Sequence, residues 1–125
     1  MTPLMCMAVA VYFEARGEPL QGQYAVAEVV MNRVADTRYP DDVCGVVFEH
    51  KAFSFTHDDK PDRLPKTEAG DKALEVATNV MAGLRMGITS THYHATYVKP
   101  YWTDHFELDG MVGQHVFYTN TTKYK

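Results

Sequence analysis

The sequence predicts a mostly helical α+β domain, with the helices first and a small β-hairpin or sheet near the end. Three observations predict it. Apolar residues recur at helical spacing over the first 34 residues and again from Thr67 to Leu84. Elsewhere the pattern changes to short β-branched and aromatic stretches, at Phe53–Thr56, Thr91–Val98 and His115–Thr119. The 125 residues hold one modest core, and no linker, repeat or low-complexity segment divides them. Residues 1–125 therefore read as a single domain.

The elements follow in order. Thr2-Pro3 is a helix start, with Thr2 as N-cap and the proline in the first turn. Leu4, Met5, Ala8, Val9, Tyr12 and Phe13 carry that helix to about Ala15, and Gly17 is free to stop it with a positive φ. Pro19 opens a second helix that runs to about Val34, with Glu18 at or near its N-cap. Its stripe of Tyr24, Ala27, Met31 and Val34 is widened by Ala25, Val26, Val29 and Val30, which marks this helix as the central, buried one. Arg33 suits the negative end of its dipole. Asp41 or Asp42 can cap a short helix from Val43 to about Glu49. His57 to Pro65 is polar and irregular. Thr67 caps a long helix, with Glu68 and Asp71 in its first turn and an end near Gly87. Thr91–Val98 and His115–Thr119 pair as strands, Gly110 and Gly113 bracket the turn before the second, and 120–125 is a frayed tail.

Composition narrows the function classes. At 46% hydrophobic and 22% charged the chain is a soluble globular type. A net charge of −4 offers no cationic surface, so neither nucleic acid nor anionic lipid is an expected partner. No apolar run approaches the roughly 18 residues of a membrane span, so membrane insertion is not expected, and a monomer is. Met1–Val11 is apolar but lacks a basic start, so it reads as part of the fold and no signal peptide is visible. Two cysteines, Cys6 and Cys44, are too few for a disulfide scaffold or a four-thiolate metal site. They could form one bridge, but two buried free thiols are the expectation at this stage.

The candidate acid is Glu14, at the end of the first helix after Tyr12 and Phe13. Burial against aromatic rings is what raises a carboxyl group into the range of a general acid. The ordinary alternative is a solvated glutamate closing a helix. Arg16 tests the idea: a guanidinium on Glu14 would hold it ionised, so a catalytic Glu14 requires Arg16 to turn away, toward Glu18. Glu18 reads as structural, a cap for the second helix, and Asp58, Asp59 and Asp62 as solvated surface. A two-carboxyl glycosidase needs a matched pair, and this sequence advertises one. His92 and His94 share a strand face and could ligate zinc with His57, His115 or an acid. A packed or substrate-facing histidine pair is the commoner outcome of that spacing. Tyr97, Tyr101 and Trp102, beside a proline turn, suit a sugar-stacking groove, whereas Phe53 and Phe117 suit the core.

The run Phe13-Glu14-Ala15-Arg16-Gly17-Glu18-Pro19-Leu20-x-Gly22-Gln23, continuing through Ala25-Val26-Ala27, Val29 and Asn32-Arg33-Val34, resembles the signature of SleB/CwlJ-type cell wall hydrolases. The likeness continues at Tyr39-Pro40, Val43–Val47, Phe53-Ser54-Phe55, Tyr93–Val98, Pro100, Trp102, Gly113, His115 and Phe117-Tyr118, and so covers nearly the whole chain. The resemblance implies a lysozyme-like domain with its small sheet beside a catalytic groove. It implies a lytic transglycosylase that cuts peptidoglycan between N-acetylmuramic acid and N-acetylglucosamine and leaves a 1,6-anhydro-muramyl end. Glu14 would be its single acid/base, Ser54, Phe55, Tyr93, His94, Tyr97 and Trp102 would contact substrate, and Arg16 and Glu18 would support the site. No cofactor and no metal is implied. A water-using muramidase assisted by Glu18 or a loop aspartate, and a zinc amidase on His92 and His94, are the alternatives.

Two departures stand out. The family's glutamine before Phe-Ser is Ala52 here, which leaves one polar substrate contact without its side chain. A cysteine pair common around this segment in exported Gram-negative relatives is replaced by Lys51 and His57, while Cys6 and Cys44 remain, which favours those two as spatial neighbours. A wall enzyme without a visible leader implies either a phage lysin released from the host cytoplasm or a domain of an exported enzyme.

Overall fold

The computed structural model describes residues 1–49 and 64–125. The expected strand at 53–56, most of the 57–66 loop and the candidate residues Ser54 and Phe55 lie outside the described residues. Four helices precede a three-stranded sheet: α1 (Pro3–Ala15), α2 (Leu20–Val34), α3 (Val43–Phe48), α4 (Glu68–Met81), then β1 (His92–Ala95), β2 (Glu107–Val112) and β3 (His115–Thr119). A short 3-10 turn, Tyr101–Asp104, separates β1 from β2. This is the expected mostly helical α+β architecture.

The centre is shared by two helices. α2 buries Ala25 through Val30 without a break, as its wide apolar face requires. α1 does the same from Cys6 through Val11, because α2, α3 and α4 all pack on it. Against α1, α4 presents Ala73, Val76, Ala77 and Val80, an i, i+3, i+4, i+7 stripe. Cys6 on α1 is bonded to Cys44 on α3. The expectation of two free thiols is therefore corrected: close packing of α1 on α3 brings their Cα atoms to 5.3 Å. A crosslink across 38 residues restricts the unfolded chain, an effect of about 2–4 kcal/mol.

Helix starts follow local chemistry. Thr2, Asp42 and Thr67 each accept a bond from the backbone N–H three residues on, at 3.1, 2.7 and 3.1 Å. Helix ends depart from expectation. Gly17 does not take the left-handed region; α1 ends with Arg16 as a right-handed cap, and the Glu18 N–H bonds back to the Ala15 carbonyl at 2.9 Å. Pro19 is the N-cap of α2, and Glu18 does not cap it with its side chain. α4 stops at Met81, not near Gly87, because Gly83 takes φ of 112° and closes a Schellman turn. Its two bonds run from Leu84 N–H to the Asn79 carbonyl and from Gly83 N–H to the Val80 carbonyl, both 3.0 Å.

In the sheet, β3 lies between β1 and β2, antiparallel to both. The expected pairing of Thr91–Val98 with His115–Thr119 holds over four residues, His92 to Ala95. β2 was not expected. Its Glu-Leu-Asp-Gly-Met-Val sequence lacks strand composition and stays almost wholly exposed, so only its bonds to β3 make it a strand. Gly110 sits at an irregularity within β2, and the turn falls between Val112 and His115. The tail is not frayed either. Arg38, paired with Asp36 at 2.6 Å, donates to the carbonyls of Asn120 and Thr122 at 3.2 and 2.6 Å.

The loop between α4 and β1 is held by three side chains of α2. Glu28 is fully buried, and its carboxylate accepts backbone N–H bonds from Met86, Gly87 and Ile88 at 2.8, 3.2 and 3.1 Å. One helical turn later, Asn32 donates to the carbonyls of Ile88 and Ser90, at 2.8 and 2.9 Å. Arg33 donates to the Thr91 carbonyl at 2.7 Å. β1 begins at the next residue, so α2 sets its position.

Strand alternation then sends neighbouring side chains to opposite faces. His92 and His94 enter an aromatic cluster with Trp102, Phe106 and Tyr118, whose ring centroids lie 4.6 to 5.7 Å apart. Tyr93 points the other way, toward α1. Burial first, and then the charges of Arg33 and Arg38, lower the His92 imidazole to about 4.

Glu28→Gln puts an amide NH2 where carboxylate oxygen accepts, and should destabilise the fold by about 3 kcal/mol in urea denaturation. His92 is neutral in the fold and ordinary, near 6.5, when unfolded, so below that value only the unfolded chain gains its proton. The melting temperature should therefore fall as pH drops from 6.5 toward 4, and less steeply in His92→Gln.

Candidate active site

Glu14 occupies the last turn of α1 and is half-buried. Tyr12 and Phe13 precede it with their rings edge to face, 5.0 Å apart. The junction of α1 and α2, from Phe13 to Glu18, forms one wall of a cleft of about 180 Å3. Ala95, Tyr97, Gln114 and His115, from the ends of β1 and β3, form the other. The sheet thus stands beside a groove with Glu14 in its wall.

Tyr93 reaches across from β1 and donates its hydroxyl to Glu14 Oε1 at 2.9 Å. Burial holds the phenol well above its ordinary range, and the Glu14 charge and the hydrogen bond push it the same way. Tyr93 is therefore a hydrogen-bond donor throughout the neutral range. Its ring rests between His115 and Phe117, at centroid distances of 4.9 and 5.6 Å.

Arg16 turns away from Glu14, but not toward Glu18. Its guanidinium lies over the Tyr12 ring, 5.0 Å from the centroid, and no ion pair among the described residues joins it to either glutamate. Glu18 is engaged elsewhere. Its Oε1 accepts the Gln114 N–H at 2.7 Å and lies 3.8 Å from His115 Nδ1. This corrects its reading as a cap for α2: it ties the β2–β3 turn to the α1–α2 junction. Gly113, at φ of 58°, permits the approach, since a side chain there would collide with the Glu18 carboxylate and the Pro19 ring.

His115 is lowered by burial, against the opposing charges of Glu18 and Glu14, and stands neutral at neutral pH. Its Nδ1 is buried with no hydrogen-bond partner among the described residues. His115 lies in the stretch that resembles the family and was otherwise a possible third zinc ligand, whereas Gln114 carries no such signal in the sequence. A lone carboxylate inside the run Ala25 to Val30 was the signal that could have drawn attention to Glu28.

The remaining candidates divide between two places. Tyr97 is 82% exposed and lines the Glu14 cleft. Trp102 lines a separate cavity of about 470 Å3 with Arg33, Tyr39, Glu49, His92, Tyr93 and Lys125. His94 lies in the aromatic cluster: Nδ1 donates to the Ala95 carbonyl at 2.7 Å, and Nε2 accepts the Tyr118 hydroxyl at 3.0 Å. His92 contacts the Thr91 and Tyr39 hydroxyls, at 3.0 and 3.5 Å. The two histidines share a face, yet both are tied to other partners, and among the described residues no three His, Cys, Asp or Glu side chains converge on a metal position.

Comparisons with known proteins identify the family and the fold. A family model described as Cell Wall Hydrolase matches residues 17–118. The spore cortex-lytic enzyme of Oceanobacillus iheyensis is 44% identical over 72 residues, 58% of this chain and 26% of that one. The spore cortex-lytic enzyme of Bacillus cereus is 45% identical over 76 residues, 61% of this chain and 29% of that one. The chain thus spans about a quarter of the length of the curated relatives it matches. Among solved structures, the catalytic domain of the germination-specific lytic transglycosylase SleB from Bacillus anthracis superposes with a TM-score of 0.75 at 32% identity, covering 94% of this chain and 93% of that one. The catalytic domain of the Bacillus cereus SleB protein gives 0.76 and 34%, covering 94% and 89%. With a family model matched over most of its length and two SleB catalytic domains sharing its fold, the chain belongs to the cell wall hydrolase family.

Proposed function

We propose that this protein is a lytic transglycosylase that cuts the glycan strand of peptidoglycan, with Glu14 as its single acid/base. The observation that carries the reading is the Tyr93–Glu14 hydrogen bond at the wall of the cleft. It fixes one carboxyl group by one oxygen, beside a neutral imidazole and away from the Arg16 guanidinium. Glu18, one of the candidates for a second carboxyl group, accepts the Gln114 N–H, which favours a lone-acid mechanism over a muramidase that uses Glu18; the loop aspartates Asp58, Asp59 and Asp62 lie outside the described residues.

The chemistry needs no second group. Protonated Glu14 gives its proton to the glycosidic oxygen as the bond from the muramyl C1 breaks. The carboxylate left behind takes the proton of the C6 hydroxyl of the same sugar, and that oxygen bonds to C1. The product is a 1,6-anhydro-muramyl end, Glu14 recovers its proton, and no water is consumed. Tyr97, exposed on the cleft, suits sugar stacking, and Tyr93 acts by positioning Glu14. His94 and Trp102 pack together in the aromatic cluster and do not line the Glu14 cleft, so their substrate contact, like that of Ser54 and Phe55, rests on the resemblance.

Residues 1–125 form the catalytic domain on this reading, and one chain builds the cleft without a second copy. Its place of action is the bacterial wall. No described helix is long and apolar enough to cross a membrane. The relatives are spore cortex-lytic enzymes, which gives no support to a phage-lysin origin.

Glu14→Gln should lower turnover of purified sacculi by about 1,000-fold or more while the melting temperature stays near wild type. Tyr93→Phe should lower kcat by about 10- to 100-fold, the loss of one charge-assisted hydrogen bond. Lysis by Glu14→Gln at the wild-type rate would overturn the assignment.

A further inference from the structure

We propose that a second cleft beside Glu14, lined by Arg16 and Lys72, binds a carboxylate of the short peptide carried by the muramyl sugars. The proposal rests on the transglycosylase reading and adds to it a binding subsite for the non-sugar part of the substrate. This cleft has a volume of about 350 Å3 and is lined by Arg16, Gln23, Glu68, Ala69 and Lys72. Arg16 also lines the Glu14 cleft, so one side chain forms the border between the two.

The charges are available. Arg16 is exposed, and no ion pair among the described residues involves it. Its guanidinium is held over Tyr12, which restricts it without neutralising it. Lys72 has one partner, Glu75 at 3.8 Å, and both side chains are well solvated, so that pair costs little to break. Glu68 stands on the same rim and Glu75 pairs with Lys72, which leaves Arg16 as the lining cation that no ion pair among the described residues engages.

The substrate supplies the matching group. A strand with its scissile bond at Glu14 places a muramyl sugar against the cleft wall. The lactyl arm of that sugar carries a peptide with free carboxylates out of the groove. A guanidinium at the border suits a carboxylate better than an ammonium would, because it offers two parallel N–H donors.

The test uses the full chain and three substrates: strands bearing stem peptides, the same strands with their carboxylates amidated, and strands stripped of peptide so that only lactyl carboxylates remain. The wild type should show a KM about fivefold lower on the first than on either other, one solvated charge-assisted bond. Arg16→Gln and Lys72→Gln should each reduce that ratio toward one, and Arg16→Lys should restore part of it. Melting temperatures check that the variants fold. Equal KM values on peptide-bearing and amidated strands overturn the proposal. Equal values on peptide-bearing and stripped strands assign the carboxylate to the lactyl group and overturn it as well. A ratio unmoved by both substitutions does the same. Absence of glycan cleavage by the wild type on all three would instead overturn the transglycosylase reading.

Discussion

The buried carboxylate of Glu28 is the constraint on which the rest of the site depends. A carboxylate with no solvent exposure is tolerated only when its oxygens are fully engaged. Here three consecutive backbone N–H groups, from Met86 to Ile88, engage them. That exchange is mutual: the loop satisfies the charge, and the charge gives an irregular loop a fixed path. Asn32 and Arg33 extend the grip to Thr91, one residue before β1. Strand alternation does the remainder. Once His92 is placed against Trp102 and Phe106, Tyr93 must face α1, where its hydroxyl meets Glu14.

The site is therefore assembled from parts far apart in sequence, and this explains what could and could not be read beforehand. Features decided within a few residues were legible. Thr2, Asp42 and Thr67 cap their helices because a cap involves a side chain and an N–H three residues on. Glu14 was legible as a candidate through its place after two aromatics at a helix end, and through the resemblance of its surroundings. Features decided by tertiary partners were not. β2 exists because β3 pairs with it, and nothing in Glu107 to Val112 demands a strand. Gly83 and Gly87 both take positive φ, and only the Schellman bonds show which one ends α4. Glu18 sits where a cap is expected, yet the β2–β3 turn claims its carboxylate. The Cys6–Cys44 bond depends on α3 folding back onto α1.

Electrostatics around Glu14 divide into a near layer and a far one. Near it stand a phenol that stays protonated and an imidazole that stays neutral, both because burial penalises their charged forms. The cation that the sequence places two residues away is diverted onto the face of Tyr12. The family match begins at Gly17, three residues after Glu14, so the case for this carboxyl group rests on the geometry of the cleft and on the resemblance of the stretch around it.

The most direct test of the account is mass spectrometry of the fragments released from purified peptidoglycan. A lone acid/base that recruits the muramyl C6 hydroxyl predicts 1,6-anhydro-muramyl ends, each about 18 mass units lighter than a hydrolytic end because no water is added. Reducing muramyl ends carrying oxygen from labelled water would contradict the account, since they require a second group to activate that water.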